Sequence, residues 1–295
     1  MTITQRAPAP EETPAPSATR GRLVMRPGVW LVWGGVVFFL VMLAGVVGAV
    51  VVSSFGTRWF GGWLPEGWTT RWYGESWRNF NLGGVMRVTI EVALAVVAIS
   101  ILVGTPAAYA LARREFVGKK LLMVTFLLPI LIPPFTYGIP LASVLTKYVG
   151  QNIVAVVLAN LVPSVPFVIL VMTPFIEQID PKIEAAARMC GAKTLVVFTR
   201  ILAPLLIPGM LAAAILILVR TVGMFELTFL TAGNDSQTLV VALFYSVSAA
   251  GIRAQQEVDS MAVLYMLSML VLLVVALRYV NPTQLVTQIK EDRPE

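Results

Sequence analysis

At 295 residues, 57% hydrophobic and 13% charged, with a mean hydropathy of +0.81, the chain is too apolar for a soluble globule and reads as an integral membrane protein. A single cysteine, Cys190, and no histidine exclude a disulfide framework, His-based metal sites and His general bases, so hydrolytic or metal chemistry in this chain is not expected. The net charge of +6 is no argument for nucleic acid, because in a membrane protein the placement of basic residues says more than their sum.

Residues 1–28 are rich in Pro, Ala, Glu and Thr and carry Arg6, Arg20, Arg22 and Arg26; a disordered tail is predicted. Residues 29–52 form an unbroken apolar run of 24 residues, which at about 1.5 Å each suffices for a hydrocarbon core of about 30 Å. It is too long for a cleaved signal sequence and lacks a small-x-small exit, so an uncleaved first span is expected. The next segment, residues 55–84, holds Trp59, Trp63, Trp68, Trp72 and Trp77. Five Trp so close together suggest an interfacial belt, the alternative being a docking surface for an external protein.

Spans two to four are predicted at 85–111, 121–145 and 153–172. Arg113, Arg114, Lys119 and Lys120 between the first two mark a cytoplasmic loop. Span three contains Pro129, Pro133, Pro134 and Pro140, which must break or kink it; in a membrane the freed carbonyls then have to be buried in protein or face water. Two readings stay open: bending against neighbours, or lining of a translocation path that also presents Phe135 and Tyr137.

Residues 180–203 separate the fourth span from the fifth and look built to be gripped from outside the bilayer. Asp180 followed by Pro181 is a helix start, and Gly191 is a left-handed stop. A second short helix over residues 193–200 would complete a helix, turn, helix knob before Pro204 opens the next apolar run.

Span five is predicted at 205–222 and span six at 261–279, leaving residues 223–259 outside. Within them the apolar piece 238–250 is too short to cross, and an external or re-entrant helix is expected. Glu91 lies one helical turn after Arg87 and is expected to pair with it. Glu226 is either a contact for a cationic solute or the counter-ion of Arg220. Six spans and a tail at 281–295 place both termini inside; fifteen of the 22 basic residues then lie on the cytoplasmic side and seven outside.

The knob resembles the cytoplasmic EAA motif of the permease subunits of binding-protein-dependent bacterial ABC importers. Ala186, Ala187, Gly191, Ala192, Ile201 and Pro204 fall in its register, with Phe198 where an aromatic is common. The register departs at Ala185, the usual place of the motif Glu. The acid here, Glu184, stands one residue earlier, as in members with two adjacent acids, and whether a partner on the ATPase meets it is left open. The stretches WTTRWYGESWRNF and GMFELTFLTAG also look like segments of spermidine/putrescine-type permeases.

The resemblance implies an all-α, six-span permease of a type I ABC importer within residues 29–280, in the bacterial plasma membrane, with Glu184, Ala186, Ala187, Gly191, Ala192, Phe198, Ile201 and Pro204 forming the ATPase-coupling surface. Phe135, Tyr137 and Glu226 are the possible solute pathway. No G-x-x-x-x-G-K-[ST] occurs, so the chain itself is not expected to be an enzyme or to carry a cofactor; ATP and Mg belong to separate ATP-binding subunits. The other implied partners are a second, homologous permease subunit, an extracytoplasmic solute-binding protein and membrane lipid. Polyamines lead as the solute, with sugars or polyols, phosphonates and ferric ion open. A secondary transporter or channel would share six spans and kinked helices but not the Gly191, Ile201, Pro204 register.

Overall fold

The computed structural model describes residues 27–59, 62–248 and 254–279; the basic residues of both tails and Arg253 lie outside them. The chain divides into two compact units, Met1–Val47 and Gly48–Glu295. In the first, the described residues form the leading part of helix α1 (Pro27–Ser54), whose side chains are mostly exposed, as a lipid-facing helix requires.

The regular structure of the second unit's described residues is helical, joined by short loops, apart from one isolated bridge between Gly56 and Trp68. Its elements are α2 (Arg71–Asn79), α3 (Leu82–Arg113), α4 (Lys119–Leu131), α5 (Pro134–Tyr148), α6 (Ile153–Glu177), α7 (Pro181–Met189), α8 (Thr194–Val197), α9 (Ala203–Val222), α10 (Glu226–Thr231), α11 (Leu239–Ser248) and α12 (Gln255–Tyr279). Among the described residues five helices are long and apolar enough to cross a membrane, or six when the bent pair α4 and α5 is counted as one span. A helix or, for span three, the bent pair covers each of the six expected stretches. α11 is the short apolar helix expected before the last span.

α6 is the hub, packing against α3, α4, α5, α9 and α10. Lipid offers no hydrophobic drive between helices, so close approach of backbones must supply the packing energy. Small residues allow it: a side chain at Gly104 of α3 would meet Val168 of α6 at 2.7 Å, and one at Gly209 of α9 would meet the Phe175 ring at 2.9 Å. Around these approaches lies the main core, including Val96, Val156, Val168, Met172, Leu206 and Ile217.

The break or kink expected in span three is a break: α4 and α5 meet at 93° across Ile132 and Pro133. Pro133 and Pro134 cannot donate to the preceding turn, and Ile132 before a proline is pushed to extended backbone, with ψ of 134°. Two expectations need correction. The second short helix of the knob is not separate. α8 runs through a π turn, Phe198–Leu202, into α9, giving one helix over Thr194–Val222. The wider π turn ends just before Pro204 and so relieves the clash its ring would make with the preceding turn. Nor is the Trp cluster uniformly interfacial. Trp63, Trp68 and Trp77 are exposed, but Trp72 is buried and donates its indole N–H to the Gly56 carbonyl at 2.7 Å. It belongs to a polar clasp in which Ser76 of α2 meets Ser260 of α12 at 2.6 Å and Ser53 donates to Asp259 at 2.5 Å.

Candidate functional site

The knob is capped at both ends by its own sequence. Pro181 occupies the first helical position of α7, and the Asp180 carboxylate accepts from the Lys182 N–H at 2.9 Å. At the other end Gly191 has φ of +83°; its N–H bonds the Arg188 carbonyl at 2.9 Å and the Ala192 N–H bonds the Ala187 carbonyl at 3.1 Å. These paired bonds close a Schellman turn, which a left-handed residue makes possible. α7 is thereby stopped after nine residues and the chain redirected into α8.

Glu184 projects from α7 into the protein and is 3% exposed. A buried carboxylate is costly unless it is fully paired, and this one is. Arg113 Nε, at the end of α3, donates to Oε1 at 2.6 Å; the Tyr109 hydroxyl donates to Oε2 at 2.7 Å; Arg188 Nη2 reaches Oε2 at 3.2 Å. Arg113 also donates from Nη2 to the Ile179 carbonyl at 2.8 Å, gripping the chain just ahead of α7. The partner of Glu184 is thus in its own chain. Tyr109 and Arg113 are four residues apart on α3, and Glu184 and Arg188 four apart on α7, so each pair shares a helix face and the two faces meet. The sequence marks Arg113 as a loop cation and gives Tyr109 no distinct role; the spacing of those two pairs is the signal it carries.

The remaining motif residues divide by side. Ala187, Ala192 and Phe198 pack against the main core, Phe198 with its ring 5.3 Å from that of Tyr109, and Ile201 is half-buried. Ala186, Gly191 and Pro204 are exposed. The outward face adds apolar side chains that the motif did not flag: Ile183, Met189, Leu195 and Val196. With Lys182, Arg188, Lys193 and Arg200 exposed around them, the knob offers a greasy, basic surface fixed to the bundle by a buried ionic clasp.

The possible pathway residues come together on α5 and α10. Gly138 lets the two helices approach, since a side chain there would meet Leu227 and Leu230 at 3.0 Å. The Phe135 ring stands 6.4 Å edge-on from Phe225, which opens a run of rings through Phe229, Phe244 and Tyr245. The Tyr137 hydroxyl is buried with no hydrogen-bond partner among the described residues. Arg220 and Glu226 do not pair: among the described residues the ion pairs are Arg87–Glu91, Arg113–Glu184, Lys119–Glu115 and Arg188–Glu184. Arg87 and Glu91 meet at 2.6 Å on an exposed face, the geometry expected of that pair.

Comparison with known proteins places this architecture. A family described as "binding-protein-dependent transport system inner membrane component" matches residues 100–285. A putative molybdenum transport system permease protein of Bacillus subtilis is 31% identical over 179 residues, 55% of this chain and 79% of the relative. The molybdenum transport system permease protein ModB of Haemophilus influenzae is 29% identical over 187 residues, 56% of this chain and 82% of the relative. The trehalose transport system permease protein SugB of Mycobacterium tuberculosis is 31% identical over 168 residues, 56% of each chain. In three dimensions the chain superimposes on a bacterial ABC transporter involved in import of the acidic polysaccharide alginate, with a TM-score of 0.67 and 16% identity over 86% of this chain and 97% of the other. The fold is that of a type I ABC importer permease.

Proposed function

From the premise that the chain belongs to this family of importer permeases, we propose that it forms one transmembrane half of an ATP-driven solute importer, with the knob as its contact to a separate ATPase. The observation that carries this reading is the buried clasp of Glu184 with Arg113 and Tyr109. It fixes an exposed helix rigidly to the end of α3, so a displacement of α7 is passed to the span and not absorbed by a loop. The end of the bundle bearing the clasp is cytoplasmic on this reading. A second permease subunit completes the pathway, and an extracytoplasmic binding protein delivers solute at the opposite end. Co-purification tests the coupling: the wild-type complex should retain its ATPase, and Met189→Glu, which puts a charge on the exposed face without touching the clasp, should release it. Full retention by that variant would place the coupling surface elsewhere.

For the solute we favour a small oxyanion. Relatives named for molybdenum, molybdate/tungstate and sulfate transport support it, as does Arg220 in the last turn of α9, a half-buried cation with no carboxylate within ion-pair distance among the described residues. The polyamine reading loses one of its two clues, because Trp72 and Tyr73 have local jobs: Trp72 bonds Gly56, and the Tyr73 hydroxyl meets Ser54 at 2.8 Å. Its other clue stands in Glu226, which likewise has no cation within ion-pair distance among the described residues. Stimulation of the assembled complex separates the two. Arg220→Gln should abolish activation by molybdate or sulfate with their binding protein, whereas Glu226→Gln should abolish activation by spermidine.

A further inference from the structure

The clasp end of the bundle carries a second feature that the coupling reading does not use. Between the last turns of α3 and the first turns of α4 lies a groove of about 760 Å³, lined by Ala107, Ala110, Leu111, Phe116, Leu122 and Phe126, with Arg114 and Glu115 at its rim. Its charge is one-sided. Glu115 is engaged by Lys119 at 2.7 Å, while Arg114 is exposed with no carboxylate within ion-pair distance among the described residues. The apolar part is not headed for a protein core, because α4 has no buried residue along its length. Leu122 and Phe126 lie one turn apart on it, so the groove runs about 6 Å along the span, away from the cationic rim and into the depth of the bilayer. A cation over an apolar slot between membrane helices is the complement of a phosphate over an acyl chain.

We propose that this groove is a site for an anionic phospholipid of the cytoplasmic leaflet, its phosphate on Arg114 and one acyl chain along Ala107, Leu122 and Phe126. The assignment rests on the reading that the clasp end is cytoplasmic. Lipid of this class there would brace the α3–α4 corner immediately beside Arg113, and so beside the clasp itself. Lys120, exposed in the first turn of α4 and also without a carboxylate partner among the described residues, adds a second positive charge to the same corner.

The test uses the assembled importer, purified in mild detergent and titrated with dioleoylphosphatidylglycerol or dioleoylphosphatidylcholine, with bound lipid counted by native mass spectrometry. Wild type should hold the anionic lipid in preference to the zwitterionic one. Arg114→Gln should weaken that retention about fivefold, and adding Lys120→Gln should weaken it by a similar factor again. Arg114→Lys should restore it, which a merely structural arginine would not allow, and Phe126→Trp should lower it by filling the slot. Lys147→Gln, at the other end of the broken span, should change nothing. Equal retention of both lipids, or unchanged retention in Arg114→Gln, would overturn the assignment. So would release of the lipid when ATPase is added back to stripped complex, since the groove would then be part of the ATPase contact. Failure of the wild-type complex to hold its ATPase while it keeps its preference for the anionic lipid would instead count against the coupling reading alone.

Discussion

Glu184→Gln isolates the charge of the clasp while preserving its volume and its place in α7. In the native chain the carboxylate accepts from Arg113, Tyr109 and Arg188, and Arg113 is 14% exposed at its side chain. Hydrogen bonds to a charged group are worth about 1.5–3 kcal/mol each, and removing one partner of a buried ion pair costs about 3–5 kcal/mol. The Arg188 contact is half-exposed and is discounted to a few tenths of a kcal/mol. The glutamine carbonyl still accepts one bond and Arg113 keeps the Ile179 carbonyl, so a net loss of about 3 kcal/mol is expected. That loss falls on the docking of α7 and not on the spans, which are held by the α3, α6 and α9 packing. Local opening of α7 should become more populated by on the order of 100-fold, at about 1.4 kcal/mol per factor of ten. Hydrogen exchange read by mass spectrometry should therefore show amides of α7 losing protection by that factor, with those of α6 unchanged. Arg113→Gln should do the same, and the double variant should cost less than the sum. Protection of α7 within threefold of wild type would refute the clasp as the element that holds the knob.

Gly191→Val has open space for its side chain but a backbone at φ of +83°, so about 1–2 kcal/mol of strain should re-aim α8; ATPase retention should fall while membrane insertion is unaffected. Gly104→Val would press into Val168 and should cost about 1–3 kcal/mol, read as a lower unfolding midpoint, whereas Gly74→Ala meets nothing and should be neutral. A cysteine at Gly74 should react with a membrane-impermeant thiol reagent in intact cells, while one at Val117 and the exposed native Cys190 should not; labelling at Val117 would reverse the topology.

Local physics accounts for what was legible in the chain. The spans follow from apolar length alone, and the limits of α7 follow from Asp180, Pro181 and Gly191, because a cap, a missing N–H and a left-handed turn act within a few residues. The pairing of Arg87 with Glu91 is of the same kind, being set by one helical turn. Tertiary structure decided the rest. Glu184 faces inward to an arginine 71 residues away, a pairing that depends on how closely α3 and α6 approach at Gly104 and Val168. Arg220 and Glu226, six residues apart, look like partners in sequence, yet with the turn at Gly223 and the start of α10 between them they form no ion pair. The prolines of span three announced a break, but its 93° angle is set by where α5 packs, against α6 and α10, and no local rule contains those neighbours.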